Sequence, residues 1–106
     1  MEKVLVVDNE KSMRDFLSIV LKKEGYFVET AEDGDQALKV LEKDIFDLVL
    51  TDMKMPRMSG LDLLKALKEL SPETIIIMMT AYASAETAVE AMKEGAYDYL
   101  TKPFQI

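Results

Sequence analysis

The chain has 106 residues, 49% of them hydrophobic, and a formal net charge of −7. That length suits one domain around a single core. The acidic balance argues against direct contact with nucleic acid or an anionic membrane, which need a basic face. Cysteine and histidine are both absent, which excludes disulfides, thiolate metal sites and any Ser-His-Asp arrangement.

Lys3-Val4-Leu5-Val6-Val7 is a short β-branched run ending at Asp8-Asn9 and reads as a buried strand. It starts too early for a signal peptide, and no later apolar run approaches membrane-spanning length, so a soluble, cytoplasmic domain is expected. Asn9 suits the N-cap of a first helix, with Met13, Phe16, Leu17, Val20 and Leu21 at helical spacing and Gly25 as its left-handed cap. Phe27 to Thr30 predicts a second strand. Asp33-Gly34-Asp35-Gln36 has capping-box spacing and opens a helix through Ala37, Leu38 and Leu41 to about Lys43.

Asp47 to Thr51 predicts the third strand, and Leu61, Leu64 and Leu67 mark a third helix that stops before Ser71-Pro72. Thr74 to Thr80 is the most continuous apolar run, which predicts a central strand. Ser84 suits the cap of a fourth helix, with Ala88, Val89 and Met92 on its apolar face and Gly95 at its end. Tyr97 to Thr101 completes a βαβαβαβαβ order, the pattern of a doubly wound α/β fold with a five-stranded parallel sheet. Both faces of such a sheet need helices, yet the pattern stops at Gln105-Ile106 without a fifth helix. We expect residues 1–106 to be one domain cut before its final helix.

The polar residues that interrupt the strands fall at carboxyl ends: Asp8 and Asn9 after the first, Asp52 after the third, Thr80 at the fourth and Lys102 after the fifth. In the flavodoxin-like order 2-1-3-4-5 these groups converge on the crevice where open α/β sheets bind ligands. Two or three oxygen ligands plus waters suit Mg²⁺. Lys102 offers a compact positive charge and Thr80 a hydroxyl donor for a phosphoryl group, and Asp52 can act as a carboxylate nucleophile. Each residue alone has a plainer account: Asp8-Asn9 as a helix cap, Asp52 as a turn starter, Lys102 extended because proline follows. Their coincidence at one sheet edge carries the argument.

Val6-Val7-Asp8-Asn9-Glu10, Thr51-Asp52-Met53-Lys54-Met55-Pro56 with Gly60, Thr80-Ala81 and Lys102-Pro103-Phe104 together resemble the receiver domain of bacterial two-component response regulators. The resemblance spans essentially the whole chain. It implies that Asp52 accepts a phosphoryl group from a sensor histidine kinase, and that Asp8, Asp52 and the backbone carbonyl of Lys54 hold Mg²⁺. It also implies that Thr80 and Lys102 bind the phosphoryl oxygens, that a cis peptide precedes Pro103, and that Thr80 and Tyr99 form a switch read out at the fourth helix and fifth strand. The runs at 82–88 and 95–100 look like receivers of σ54-dependent activators, so a C-terminal output domain controlling transcription is expected, with homodimerisation as a family habit.

Asn9 departs from the resemblance, since a second acid usually stands there. An amide oxygen still coordinates, at the loss of one negative charge. Lys54 and Tyr82 flank the site and are placed to limit water access. Met53, Met55 and Met58 surround the acceptor loop, where burial against the third helix outweighs a partner-binding role. Three rivals stand beside this reading. A degenerate receiver would only mediate protein contacts. A haloacid-dehalogenase-like phosphatase would need an acid two residues after its nucleophile, where this chain has Lys54. A flavodoxin-like electron carrier would meet an acidic Asp8-Asn9-Glu10 turn that repels a flavin phosphate.

Overall fold

A computed structural model of the chain describes residues 2–81 and 85–102. The apolar runs become β1 (Lys3–Val7), β2 (Phe27–Ala31), β3 (Leu48–Asp52), β4 (Ile75–Thr80) and β5 (Asp98–Thr101). All pair in parallel, in the order β2-β1-β3-β4-β5. Helices α1 (Lys11–Lys23), α2 (Gly34–Lys43), α3 (Gly60–Leu70) and α4 (Ala85–Lys93) make the crossovers. This is the doubly wound α/β sheet expected, with four helices among the described residues. None of them is long and apolar enough to cross a membrane.

Alternation along each strand sorts the side chains into two layers. Leu5, Val7, Val49, Ile76 and Met78 pack with residues of α2, α3 and α4, including Ala37, Leu41, Leu63, Leu64, Leu67 and Ala91. Val4, Val6, Leu50 and Met79 form the opposite layer with Leu17 of α1. Among the described residues α1 is the one helix on that second face. A groove of about 670 Å³ lies at the amino ends of the strands, lined by Val4, Tyr26, Leu48, Ile77 and Tyr97 among others, far from the polar strand ends.

Local signals fared unevenly. Gly25 does end α1 in the left-handed region (φ 94): its N–H reaches the carbonyl of Lys22, and that of Tyr26 reaches Leu21. Asn9 is not the cap of α1. The capping position falls on Glu10, whose side chain makes no cap bond, while Asp8 Oδ1 accepts the Glu10 N–H at 2.9 Å, an Asx turn that carries the chain off β1 and starts the helix one residue later. Asp33 caps α2 as expected, accepting the N–H of Gln36, but Gln36 returns to the N–H of Glu32 and not to that of the cap residue. The full capping box is at α3, between Ser59 and Asp62.

β4 lies inside the sheet between β3 and β5, as expected, and reads as continuously apolar because both its faces meet helices or neighbouring side chains. On α4, Val89 and Met92 are about half exposed and the small Ala91 is the buried residue. Periodicity located an apolar stripe there but not which residues are covered. The expected cap Ser84 lies outside the described residues.

Candidate functional site

Register brings the polar strand ends level. Val7 pairs with Thr51, Asp52 with Met79, and Thr80 with Thr101. Asp8 therefore leaves β1 beside the last residue of β3, Asp52, and Lys102 leaves β5 beside Thr80, whose carbonyl accepts the Lys102 N–H at 2.7 Å. Asp8, Asp52 and Thr80 are all buried.

The start of α3 closes down on β3. Gly60 N–H donates to Met53 O at 2.9 Å, and a Cβ at residue 60 would sit 2.2 Å from the Asp52 carbonyl oxygen. Only glycine permits this approach. The main chain of Asp52 is thus held from behind by that of α3, and Lys54 N–H reaches Asp52 Oδ1 at 3.4 Å.

Lys102 ties the two carboxylates together. Its Nζ donates to Asp8 Oδ2 at 2.7 Å and lies 3.5 Å from Asp52 Oδ2 and 3.8 Å from Glu10 Oε1. Burial pushes the Asp52 carboxyl above its ordinary 3.8; the Lys102 charge opposes this shift and the Asp8 charge reinforces it. Burial alone would pull the Lys102 ammonium down, but the Asp8 hydrogen bond and the charges of Asp52, Asp8 and Glu10 outweigh it and raise it above 10.5. The site thus sets a carboxyl of raised basicity next to an ammonium whose charge its neighbours reinforce. That pairing suits attack on an anionic electrophile whose negative oxygens the lysine can meet.

Asn9, Glu10, Asp52, Lys54, Ala81 and Lys102 line a pocket of about 380 Å³ at this edge. Among the described residues no three His, Cys, Asp or Glu side chains group as a metal cluster. Two carboxylates that already share one cationic group fit a hard cation that keeps most of its water; they do not fit a softer ion such as Zn²⁺ or Cu²⁺, which prefers nitrogen or sulfur donors.

The structure therefore brings Asp8, Asp52, Thr80 and Lys102 together, with Asn9 and Lys54 exposed at the rim. Tyr99 is partly buried against the α2–α4 layer, and its hydroxyl pairs with Thr87 Oγ1 of α4 at 2.8 Å. Met53 is buried, while Met55 and Met58 are partly buried against the same layer, as expected. Pro103, Phe104 and Tyr82 lie outside the described residues. Sequence reasoning passed over Glu10 as a carboxylate facing Lys102. It also missed Arg14, whose Nη1 donates to the Asp8 carbonyl at 2.8 Å; a side-chain bond to a main-chain oxygen six residues back leaves no mark in residue spacing.

Residues 4–106 match the response regulator receiver domain family. The transcriptional regulatory protein ZraR of Escherichia coli K12 is 48% identical over 100 residues, 94% of this chain and 23% of that protein. The chain thus spans about a quarter of the length of such curated relatives. A Burkholderia pseudomallei response regulator with a phosphorylated aspartic acid, calcium ion and citrate is 36% identical, with a TM-score of 0.93 over 99% of this chain and 62% of that one. The Thermotoga maritima response regulator TrrA in complex with Mg(2+)-BeF is 35% identical, with a TM-score of 0.89 over 99% of this chain and 90% of the other.

Proposed function

The chain belongs to the response regulator receiver domain family, and from that premise we propose that it is a phosphorylatable switch in which Asp52 accepts a phosphoryl group from the phosphohistidine of a sensor kinase. A carboxylate oxygen of Asp52 forms a bond to phosphorus as the bond from phosphorus to the imidazole nitrogen breaks, giving an acyl phosphate and a free histidine. The observation that carries this reading is the convergence of Asp8, Asp52 and Lys102, with one ammonium 2.7 and 3.5 Å from the two carboxylates.

Asp8, Asp52 and the main-chain carbonyl of Lys54 are the groups that would hold Mg²⁺, with Asn9 able to add an amide oxygen. That ion, when bound, supplies charge neutralisation for the incoming anion. Lys102 meets a phosphoryl oxygen and gives up its contact with Asp52 to do so. Thr80 supplies a hydroxyl beside it. The domain is not a turnover enzyme in this reading, since the residue two beyond Asp52 is Lys54 and not the acid a phosphatase would need.

Tyr99 and Thr80 are the proposed switch. Moving Thr80 toward phosphate frees space below it, and the bond between Tyr99 and Thr87 couples β5 to α4 during such a change. The exposed Val89 and Met92 then give the α4–β5 surface apolar contacts to offer an output domain or a second copy of the chain. Likeness to transcriptional regulators supports a cytoplasmic protein whose further part activates transcription, of the σ54-dependent kind, under control of its kinase.

Intact mass after incubation with Mg²⁺ and a small acyl-phosphate donor tests this directly. Wild type gains one phosphoryl mass only when Mg²⁺ is present, and Asp52→Asn gains none. An adduct that persists in Asp52→Asn, or no adduct on wild type in a chain extended beyond residue 106, would refute it.

A further inference from the structure

We infer that Arg57 is a positioning residue for the acceptor loop, clamping a strained turn onto the start of α2. This rests on the reading of Asp52 and Lys54 given above. Among the described residues, Arg57 is the sole non-glycine with positive φ, at 67°. The Met58 N–H reaches back to the Pro56 carbonyl at 2.8 Å. A bond between residues two apart with positive φ at the centre marks the γ-turn of the rare, strained hand. Glycine or asparagine ordinarily takes such a position, and a long β-unbranched cation needs something to hold it there.

The holding groups belong to another element. Arg57 Nη2 lies 3.1 Å from Asp33 Oδ2 and Nε lies 3.5 Å from Asp35 Oδ2. Asp33 is itself fixed, because its other oxygen caps α2 at the Gln36 N–H. Beside the clamp, Met58 lies so close to the helix that a Cβ at Gly34 would come within 2.7 Å of its Sδ. The two ends of the loop are pinned by β3 and by the Ser59–Asp62 box of α3. Arg57 supplies the middle anchor, three residues from the Lys54 carbonyl.

An exposed ion pair moves an equilibrium by no more than about fivefold, and the Arg57 side chain is 71% exposed. Two such pairs and the Met58 contact together match the strain of one left-handed residue, so the clamp is held in near balance. Cutting it lets the turn relax and shifts the residues between Met53 and Met58.

Three variants isolate the clamp: Arg57→Ala keeps the strain and loses both pairs, Arg57→Gly loses the strain together with both pairs, and Asp35→Asn loses one pair. The readouts are hydrogen exchange of the Met58 amide and Mg²⁺ affinity by titration. Arg57→Ala should exchange on the order of tenfold faster and bind Mg²⁺ several-fold more weakly. Asp35→Asn should fall between, and Arg57→Gly should recover most of the loss. Added salt should drive wild type toward Arg57→Ala while leaving Arg57→Gly unmoved. Wild-type exchange in Arg57→Ala, or Arg57→Gly as perturbed as Arg57→Ala, would overturn the clamp. Faster exchange with unchanged Mg²⁺ affinity would overturn the positioning role. A wild type that binds no Mg²⁺ would sink the cation reading, and the exchange comparison would still decide the clamp.

Discussion

Gly60→Ala tests the framework behind Asp52. The added methyl would lie 2.2 Å from the Asp52 carbonyl oxygen and 3.0 Å from both the Asp52 carbonyl carbon and the Met53 Cα. Ordinary contact needs about 3.4 Å, and every atom it meets is backbone, so β3 or α3 must shift by about 1 Å. Overpacking of this kind costs roughly 3 kcal/mol, while alanine returns up to about 1 kcal/mol of helix propensity. The net of about 2 kcal/mol should lower Tm by on the order of 8–16 °C for a domain of this size. Two controls use the same chemistry without the backbone clash. At Gly34 the added methyl would meet Sδ, Cγ and Cβ of Met58 at 2.7, 2.8 and 2.9 Å, so the loop at Met58 must give way along with the side chain, and Gly34→Ala should cost roughly 1–3 kcal/mol without disturbing β3. At Gly25 there is open space but φ is +94, so Gly25→Ala should lose about 1 kcal/mol from conformation alone. Circular dichroism melts in chelator, with phosphoryl uptake by mass alongside, measure all three. A Gly60→Ala melt within a degree or two of wild type would refute the close packing of α3 on Asp52.

The Asp52 carboxyl has a raised folded-state pKa, so the unfolded chain loses its proton first and this group's contribution falls as pH rises from its ordinary 3.8 through the higher folded value. Asp52→Asn in chelator should therefore melt above wild type at pH 7, with the gap closing as pH falls below that window; a gap that widens on acidification refutes the sign. Lys102→Met leaves Asp8 and Asp52 buried and unopposed, which should cost about 3 kcal/mol at pH 7, with part of it recovered in acid, as denaturant melts at two pH values would show. Asn9→Asp adds one charge at the rim and should tighten Mg²⁺ roughly fivefold by titration calorimetry; equal affinities would mean that residue 9 does not face the ion.

Much of the fold was legible because burial and backbone direction leave strong marks. Five short β-type runs located the parallel sheet, and the polar residues at the carboxyl ends of four of them located the edge where Asp8, Asp52, Thr80 and Lys102 meet. What escaped depended on relations between distant or similar groups. Asp8 and Asn9 both suit a turn at a helix start, and the Asx turn from Asp8 to the Glu10 N–H moves the cap position on to Glu10. Ala91 and Ala96 bury completely or nearly so, yet alanines add little to an apolar stripe, so Val89 and Met92 stood out in their place. The pairing of Arg57 with Asp33 and Asp35 joins a loop to a helix more than twenty residues away, and no periodicity announces such a pair.

The hydrogen bond from Lys102 to Asp8 links residues 94 positions apart. A chain emerging from the ribosome at roughly 5–20 residues per second, amino end first, would pair β1 with β3 while Asp8 and Asp52 still repel each other. Their counter-charge arrives with β5, a four-residue edge strand with a single neighbour. On the function proposed above, readiness to take a phosphoryl group is then a late property of folding. In the mature domain it is as durable as the docking of that one short strand: whenever the edge opens, the lysine leaves with it, and the domain falls silent without unfolding.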